Sequence, residues 1–174
     1  MAEKARNLKL RVFLSPFIFF KKSSRLLIMK PIITKNETET FNLGRELGKK
    51  CRGGEIFILN GDLGAGKTRL VQGLAQGLGV KAKVNSPTFN IIKVYSIKGA
   101  VGNKRAKVFC HIDTYRLRSV HDLIFLGVEE FFSDPGTVTA IEWGEKVKEI
   151  WPKRAVVINI KMLDENSREI SIGY

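Results

Sequence analysis

The sequence predicts an α/β fold in a single domain, with helices layered on a β-sheet. Three features carry that expectation. An apolar run, a glycine-rich loop and an amphipathic stretch follow one another between Glu55 and Gly79, in the order strand, loop, helix. Further apolar runs alternate with amphipathic stretches downstream, and the chain closes on two apolar runs separated by a short polar turn. The 174 residues suffice for one domain with a sizeable core and hardly for two.

Organised text begins at Asn36. In "NETETFNLGRELGKK", Asn36 and Glu39 are spaced as a capping box, Leu43 and Leu47 share a face, and Lys49 and Lys50 stand near the end, where cations are favoured. This predicts a short helix closed by the Gly53-Gly54 turn. "EIFILN" is continuously apolar, which suits a strand buried on both faces. After the glycine loop, Leu70, Leu74 and Leu78 recur at four-residue spacing, Val71 and Ala75 widen the stripe, and Gly79 ends the helix. "NSPTFNIIKVYSI" alternates toward a strand after Ser86-Pro87, and "KGAVGNKRAK" has the composition of a hairpin loop. "VFCHID" is a strand ending in an acid, "SVHDLIFLGVEEFF" is helical in composition, and "DPG" is a turn. "TVTAIEW" is a buried strand, "GEKVKEIWP" a short helix stopped by Pro152, and "AVVINIKMLDENSREISIGY" a terminal hairpin turning at "DENS". There is no internal repeat and no low-complexity linker.

Hydrophobic residues make up 44% and charged residues 27%, which excludes a disordered or fibrous chain. Cys51 and Cys110 stand far apart, with no C-x-x-C and no histidine at ligand spacing, so neither a disulfide framework nor a zinc site is expected. A reducing, cytoplasmic setting fits. The net charge of +13 invites a nucleic-acid reading, yet residues 1–30 hold eight basic residues against Glu3 and so account for about half of the excess. The apolar run Val12 to Phe20 is broken by Ser15 and Pro16, is too short to span a bilayer and precedes no clear cleavage site. Its phenylalanines with flanking lysines suit contact with a membrane surface; a start at Met29 makes the segment dispensable. Residues 1–28 are accordingly set apart as a basic, apolar extension, and 29–174 as the phosphate-loop domain.

The chemistry concentrates at "GDLGAGKT", which matches G-x-x-x-x-G-K-[ST] with Gly61, Gly66, Lys67 and Thr68 in place. Phosphates need several N–H donors converging from one side. Glycines let the backbone curl until Gly61, Asp62, Leu63, Gly64, Ala65 and Gly66 point those donors inward, and the following helix adds its own unpaired amino-terminal N–H groups. Lys67 is expected at the β- and γ-phosphates and the Thr68 hydroxyl on Mg²⁺. Hydrolysis needs more: an acid for the metal and a group that orients water. Asp113, at the end of "VFCHI", suits the metal or else a turn or helix cap; Glu142, at the end of "TVTAI", suits the water and the metal. Asp62 suits a partner, the metal surroundings or loop geometry alone. Thr88 fits a switch threonine or a strand cap beside Pro87, Trp143 a nucleotide or partner contact or core closure, and Arg116 a phosphate or an acid. His111 reads as a hydrogen-bonded strand histidine and is given no chemistry.

Taken together, "GDLGAGKT", "SPTF", "HIDTYR" and "IEW", in this order and spacing over residues 34–160, resemble the bacterial TsaE (YjeE) family of ATPases. The resemblance implies a P-loop NTPase-like three-layer sandwich with a mixed sheet. It implies ATP at Gly61 to Thr68 with Arg69 beside it, Asp113 as the metal-associated acid, Glu142 as a required glutamate, Ser86 to Thr88 as a nucleotide switch, and ATP and Mg²⁺ as the cofactors. It further implies TsaD and TsaB as partners, with ATP turnover resetting their complex during N6-threonylcarbamoylation of adenosine 37 in ANN-decoding tRNAs. Arg69 stands where a second threonine is usual, Phe131 where tyrosine is common, and Gly144 where proline is common. Two other classes remain open at this level: a small-molecule kinase, for which the stretch between Gly79 and Asp113 offers little room for lid and acceptor pocket, and a nucleotide-gated RNA-binding module, favoured by the charge but lacking an RNA-binding signature.

Overall fold

In the computed structural model, which describes residues 30–87, 90–98 and 105–174, seven strands form one sheet. They are β1 (Ile32–Thr34), β2 (Ile56–Asn60), β3 (Ile92–Ser96), β4 (Val108–Asp113), β5 (Thr137–Glu142), β6 (Val156–Met162) and β7 (Arg168–Gly173), in the spatial order β1-β7-β6-β2-β5-β4-β3. The central pairs β6–β2, β2–β5 and β5–β4 are parallel; β3, β7 and β1 add antiparallel edges. The sheet is therefore mixed. β2 and β5 are apolar without alternation because helices cover both faces of the parallel centre.

The two faces divide by strand periodicity. Phe57 and Leu59 join Phe109, Ala140 and Ile158 beneath α1 (Glu37–Lys50) and α2 (Lys67–Leu78), with Leu43, Leu47, Leu70 and Leu74 filling the layer. Ile56 and Ile58 face the other way, with Ile112 and Ile141, under α3 (Val120–Phe125), α4 (Val128–Ser133) and a 3-10 turn at Gly144–Ile150.

α1 and α2 touch backbone to backbone. A Cβ on Gly44 would lie 2.0 Å from the Leu70 carbonyl oxygen, and one on Gly48 2.1 Å from that of Leu74. Reciprocally, Gly73 meets the Phe41 oxygen at 2.0 Å and Gly77 that of Arg45 at 2.1 Å. Glycine inside a helix costs about 1 kcal/mol relative to alanine. Four of them, paired in space, permit a close contact between α1 and α2 that any side chain would prevent.

Several elements depart from the sequence expectations. Asn36 Oδ1 caps α1 by accepting from Glu39 N at 2.9 Å, but Glu39 reaches back to Lys35 N instead of closing a box on Asn36. β1 precedes that cap; three residues at a sheet edge carry no readable period. The helix expected over "SVHDLIFLGVEEFF" is two helices, because Gly127 takes a φ of 72° and turns the chain between them. The strand expected after Ser86-Pro87 starts only at Ile92. The short helix after Trp143 is a 3-10 turn, and the terminal hairpin is present, turned where Asp164 Oδ1 accepts from Asn166 N and Ser167 N at 2.8 and 2.7 Å. Thr88, most of the loop "KGAVGNKRAK" and the 1–28 extension lie outside the described residues. Among the described residues, no helix is long and apolar enough to cross a membrane.

Candidate functional site

The loop from Gly61 to Gly66 leaves β2 and delivers the chain into α2. Gly61 takes a φ of 141°, and a Cβ there would meet the Ile160 oxygen at 2.3 Å, so only glycine makes this turn against β6. Gly66 caps α2 in the left-handed region and, as a glycine, supplies no side-chain cap to the first helical N–H groups. Those donors are left to something outside the helix, which favours an anion. Ala65 is buried and closes the loop by donating its N–H to the Asp62 carbonyl at 3.2 Å.

Lys67 is only 4% exposed and curls over the loop, donating to the carbonyl oxygens of Gly61 at 2.5 Å and Asp62 at 2.8 Å. Its ammonium lies 3.5 Å from the centre of the Trp143 ring. Burial pushes the Lys67 pKa down, with the opposite pull of Glu142, Glu145, Asp113 and Asp62 only partly restoring it. An anion placed beside this lysine would relieve that penalty.

The opposite wall comes from the carboxyl ends of β4 and β5, where Asp113 and Glu142 stand directly across from each other in register. Both are buried, at 4% and 2% exposure. Glu142 Oε2 accepts from the Thr68 hydroxyl at 2.7 Å, and Oε1 lies 2.8 Å from His111 Nε2. Asp113 Oδ2 accepts from the Ser86 hydroxyl at 2.5 Å and Oδ1 from Tyr115 N at 3.0 Å. Trp143 holds a left-handed backbone, φ 59°, a conformation costing about 1–3 kcal/mol for a residue with a side chain. Thr114 holds it there, its hydroxyl within 3.0 Å of the Glu142 oxygen and 2.7 Å of the Trp143 oxygen. The indole then reaches both Lys67 and Tyr115, whose ring centre is 4.8 Å away.

These groups surround an open pocket of about 380 Å³ lined by Leu63, Gly64, Gly66, Lys67, Thr68, Ser86, Asp113, Tyr115, Glu142 and Trp143. The structure thus brings Lys67, Thr68, Asp113, Glu142 and Trp143 together from sequence positions far apart. It does not bring Arg69 with them: that guanidinium lies 4.7 Å over the Phe41 ring and bonds Gln72. Asp62 contributes its carbonyl and leaves an exposed side chain. Tyr115 and His111 went unassigned from sequence. The available signal for both was position, each two residues from Asp113 and hence near it on the same strand or its exit. Thr68, Asp113 and Glu142 offer only hard oxygens, and among the described residues no three acids, histidines or cysteines cluster to hold a metal unaided. That set suits Mg²⁺, which takes one or two carboxylates and leaves the remaining positions to phosphate and water.

A family model described as "Threonylcarbamoyl adenosine biosynthesis protein TsaE" matches residues 34–170. The chain belongs to the TsaE family. A relative from Treponema pallidum, named tRNA threonylcarbamoyladenosine biosynthesis protein TsaE, is 35% identical over 141 residues, covering 81% of this chain and 98% of the relative. One of the same name from Bacillus subtilis is 36% identical over 138 residues, covering 79% and 81%. The crystal structure of Bacillus subtilis YdiB superposes with a TM-score of 0.66 at 29% identity, covering 88% of each chain. The fold is accordingly the P-loop NTPase-like three-layer sandwich with a mixed sheet. The TsaE match runs from β1 into β7 and takes in every residue lining the pocket.

Proposed function

We propose that this chain is a Mg²⁺-dependent ATP hydrolase, weak alone and stimulated by partners, that serves the N6-threonylcarbamoylation of adenosine 37 in ANN-decoding tRNAs. The observation that carries the reading is one pocket with a glycine loop and buried Lys67 on one wall and Asp113 and Glu142 in register on the other. The names of its TsaE relatives, tRNA threonylcarbamoyladenosine biosynthesis proteins, supply the pathway.

In this reading the loop N–H groups and the uncapped start of α2 bind the phosphates. Lys67 exchanges two backbone carbonyls for phosphate oxygens, an exchange favoured because a buried ammonium gains more from an anion than from a neutral dipole. The Thr68 hydroxyl and Asp113, with Glu142 beside them, would hold Mg²⁺, which would supply charge neutralisation at the phosphates. Glu142 orients the attacking water and accepts its proton, while Trp143 and Tyr115 shield the mouth of the pocket. Thr88, in the segment after Ser86, acts as the switch that senses nucleotide. TsaD and TsaB are the partners, tRNA is reached through their complex, and residues 29–174 are the working unit, acting in the cytoplasm with no stable membrane insertion. A chain begun at Met29 should keep its activity within about twofold, since both walls of the pocket lie beyond that point.

The experiment is multiple-turnover formation of threonylcarbamoyladenosine on tRNA, with TsaB, TsaD and the adenylate synthase supplied. Product beyond one equivalent of partner complex should need this chain and fail with Lys67→Ala. Independence from the chain would overturn the reading, and transfer of γ-phosphate to a metabolite instead of water would make it a kinase.

A further inference from the structure

Glu142 is gripped at both carboxylate oxygens, and only one grip comes from the phosphate loop. Thr68 holds Oε2; His111, from the middle of β4, holds Oε1. A carboxylate bonded at one oxygen still turns about its terminal torsion, which is broad and roughly two-fold. The second bond fixes its plane.

His111 is an expensive residue for that place. It is 0% exposed and stacked at 6.2 Å beside Phe109, a member of the apolar core beneath α1 and α2. Among the described residues its Nδ1 has no hydrogen-bond partner. Burying a polar atom unpaired costs stability, and phenylalanine or leucine would fill the same volume without that cost. What neither supplies is a donor at Nε2. An ionised carboxylate only accepts, so the bond to Glu142 assigns the proton to Nε2 and leaves Nδ1 bare. The alternation of β4 places this donor on the same face as Asp113, and the parallel register with β5 sets Glu142 within its reach.

We propose that His111 is a positioning residue for ATP hydrolysis: through its Nε2–H it locks the Glu142 carboxylate in the plane from which Glu142 orients water. This rests on the hydrolytic role proposed for Glu142. It assigns no proton transfer to His111, whose ring is sealed from the pocket by the carboxylate it holds.

The test compares partner-stimulated ATP hydrolysis by the parent chain, His111→Phe, His111→Gln, Glu142→Gln and the double variant His111→Phe/Glu142→Gln. A misplaced catalytic group loses on the order of 10²-fold in rate. His111→Phe should therefore lower kcat by about tenfold to a hundredfold with the KM for ATP within about twofold. His111→Gln, whose side-chain N–H reaches to the position of Nε2, should recover most of that loss. The double variant should be no slower than Glu142→Gln alone, since His111 acts only through Glu142. An unchanged kcat in His111→Phe, equal losses in the Phe and Gln variants, or an additive double variant would each overturn the proposal.

A readout independent of turnover separates the two readings. Long-range ¹H–¹⁵N imidazole spectra of the full chain should show His111 as the Nε2–H tautomer, with its signals displaced in Glu142→Ala. An Nδ1–H tautomer, or signals indifferent to Glu142→Ala, would overturn the proposal even if His111→Phe failed to fold. Undiminished hydrolysis by Glu142→Gln would instead overturn the role given to Glu142, and with it the catalytic consequence drawn for His111, while the spectra still decide the bond itself.

Discussion

The two walls of the pocket are built by different means. The loop wall is a run of consecutive residues, Gly61 to Thr68, whose one cation, Lys67, is answered by carbonyls of the same loop. The acid wall collects Ser86, Asp113, Tyr115, Glu142 and Trp143 from separate segments and depends on a single pairing, Asp113 opposite Glu142. A slip of one residue between β4 and β5 would send one of those carboxylates to the other face of the sheet. Local sequence thus secures the loop wall, whereas sheet register secures the acid wall. The walls meet where Thr68 bonds Glu142 and where Lys67 lies on Trp143.

The largest effect should come from the loop wall. Lys67→Ala removes the only loop cation that faces both the phosphates' place and the acids, and should cost at least about 10³-fold in ATP hydrolysis, the scale on which cationic and oxyanion-type stabilisers of charged transition states act. The fold should survive, because the two carbonyls it leaves belong to Gly61 and Asp62, neither of them buried, and can take water; circular dichroism against temperature checks this beside steady-state turnover. Hydrolysis persisting in Lys67→Ala would mean that the loop is a structural turn. Asp113→Asn strikes the acid wall more gently. Asparagine can still accept from Tyr115 N, so the strand end should hold, while the lost charge should reduce Mg²⁺-dependent turnover by about 10²-fold. Turnover measured against Mg²⁺ concentration should show a raised requirement. Identical metal curves for variant and parent would remove Asp113 from the cation.

The same contrast decides what was legible in the sequence. The loop wall could be read outright, because glycine spacing, Lys67, Thr68 and the leucine stripe of α2 are neighbours in the chain. Asp113 and Glu142 could be found as acids ending apolar strands, but their mutual register is a property of the folded sheet. His111 could be read as a hydrogen-bonded strand histidine, but its partner could not, because Glu142 lies on another strand. Trp143 over Lys67 required a left-handed backbone that Thr114 enforces from β4's exit, and no local pattern announces that. In the fold, the parallel core and the terminal hairpin followed from apolar runs and turn residues. β1 was too short for any period, and the glycine in "SVHDLIFLGVEEFF" left the helix boundary open until its φ of 72° showed a break. The glycines of α1 and α2 carry no pattern that announces their pairing, since each serves the contact with the other helix.

That contact offers a third way to probe the comparison, through the scaffold beneath the loop wall. Gly44→Ala places a methyl 2.0 Å from the Leu70 backbone oxygen, one turn into the helix that Lys67 begins. Overpacking of this kind costs about 1–3 kcal/mol, and each kcal/mol lowers the melting temperature by about 2–4 °C in a chain of this size. Below the transition the loop keeps its own hydrogen bonds, so kcat should change by less than about threefold. A large loss of kcat in a folded Gly44→Ala chain would show that the loop wall takes its geometry from α1 and is less self-sufficient than its local bonds suggest.

The smallest effect should come from Arg69, the residue next to Thr68. Its sequence position suggests a charge beside the phosphates, yet the helix turns it by about 100° from its neighbour, so it leaves the loop wall and lies over Phe41. There it holds Gln72 at 3.2 Å, and Gln72 in turn bonds the Val84 carbonyl at 3.0 Å. Arg69→Thr should therefore cost about 0.5–1 kcal/mol of stability through the lost stacking on Phe41. The KM for ATP should move by less than about twofold, because a charge outside the pocket acts through screened solvent. A melting curve and an ATP titration on the same preparation check both parts. A tenfold rise in KM would mean that the guanidinium leaves Phe41 when nucleotide arrives, and the loop wall would then extend one residue beyond the strand–loop–helix turn that defines it.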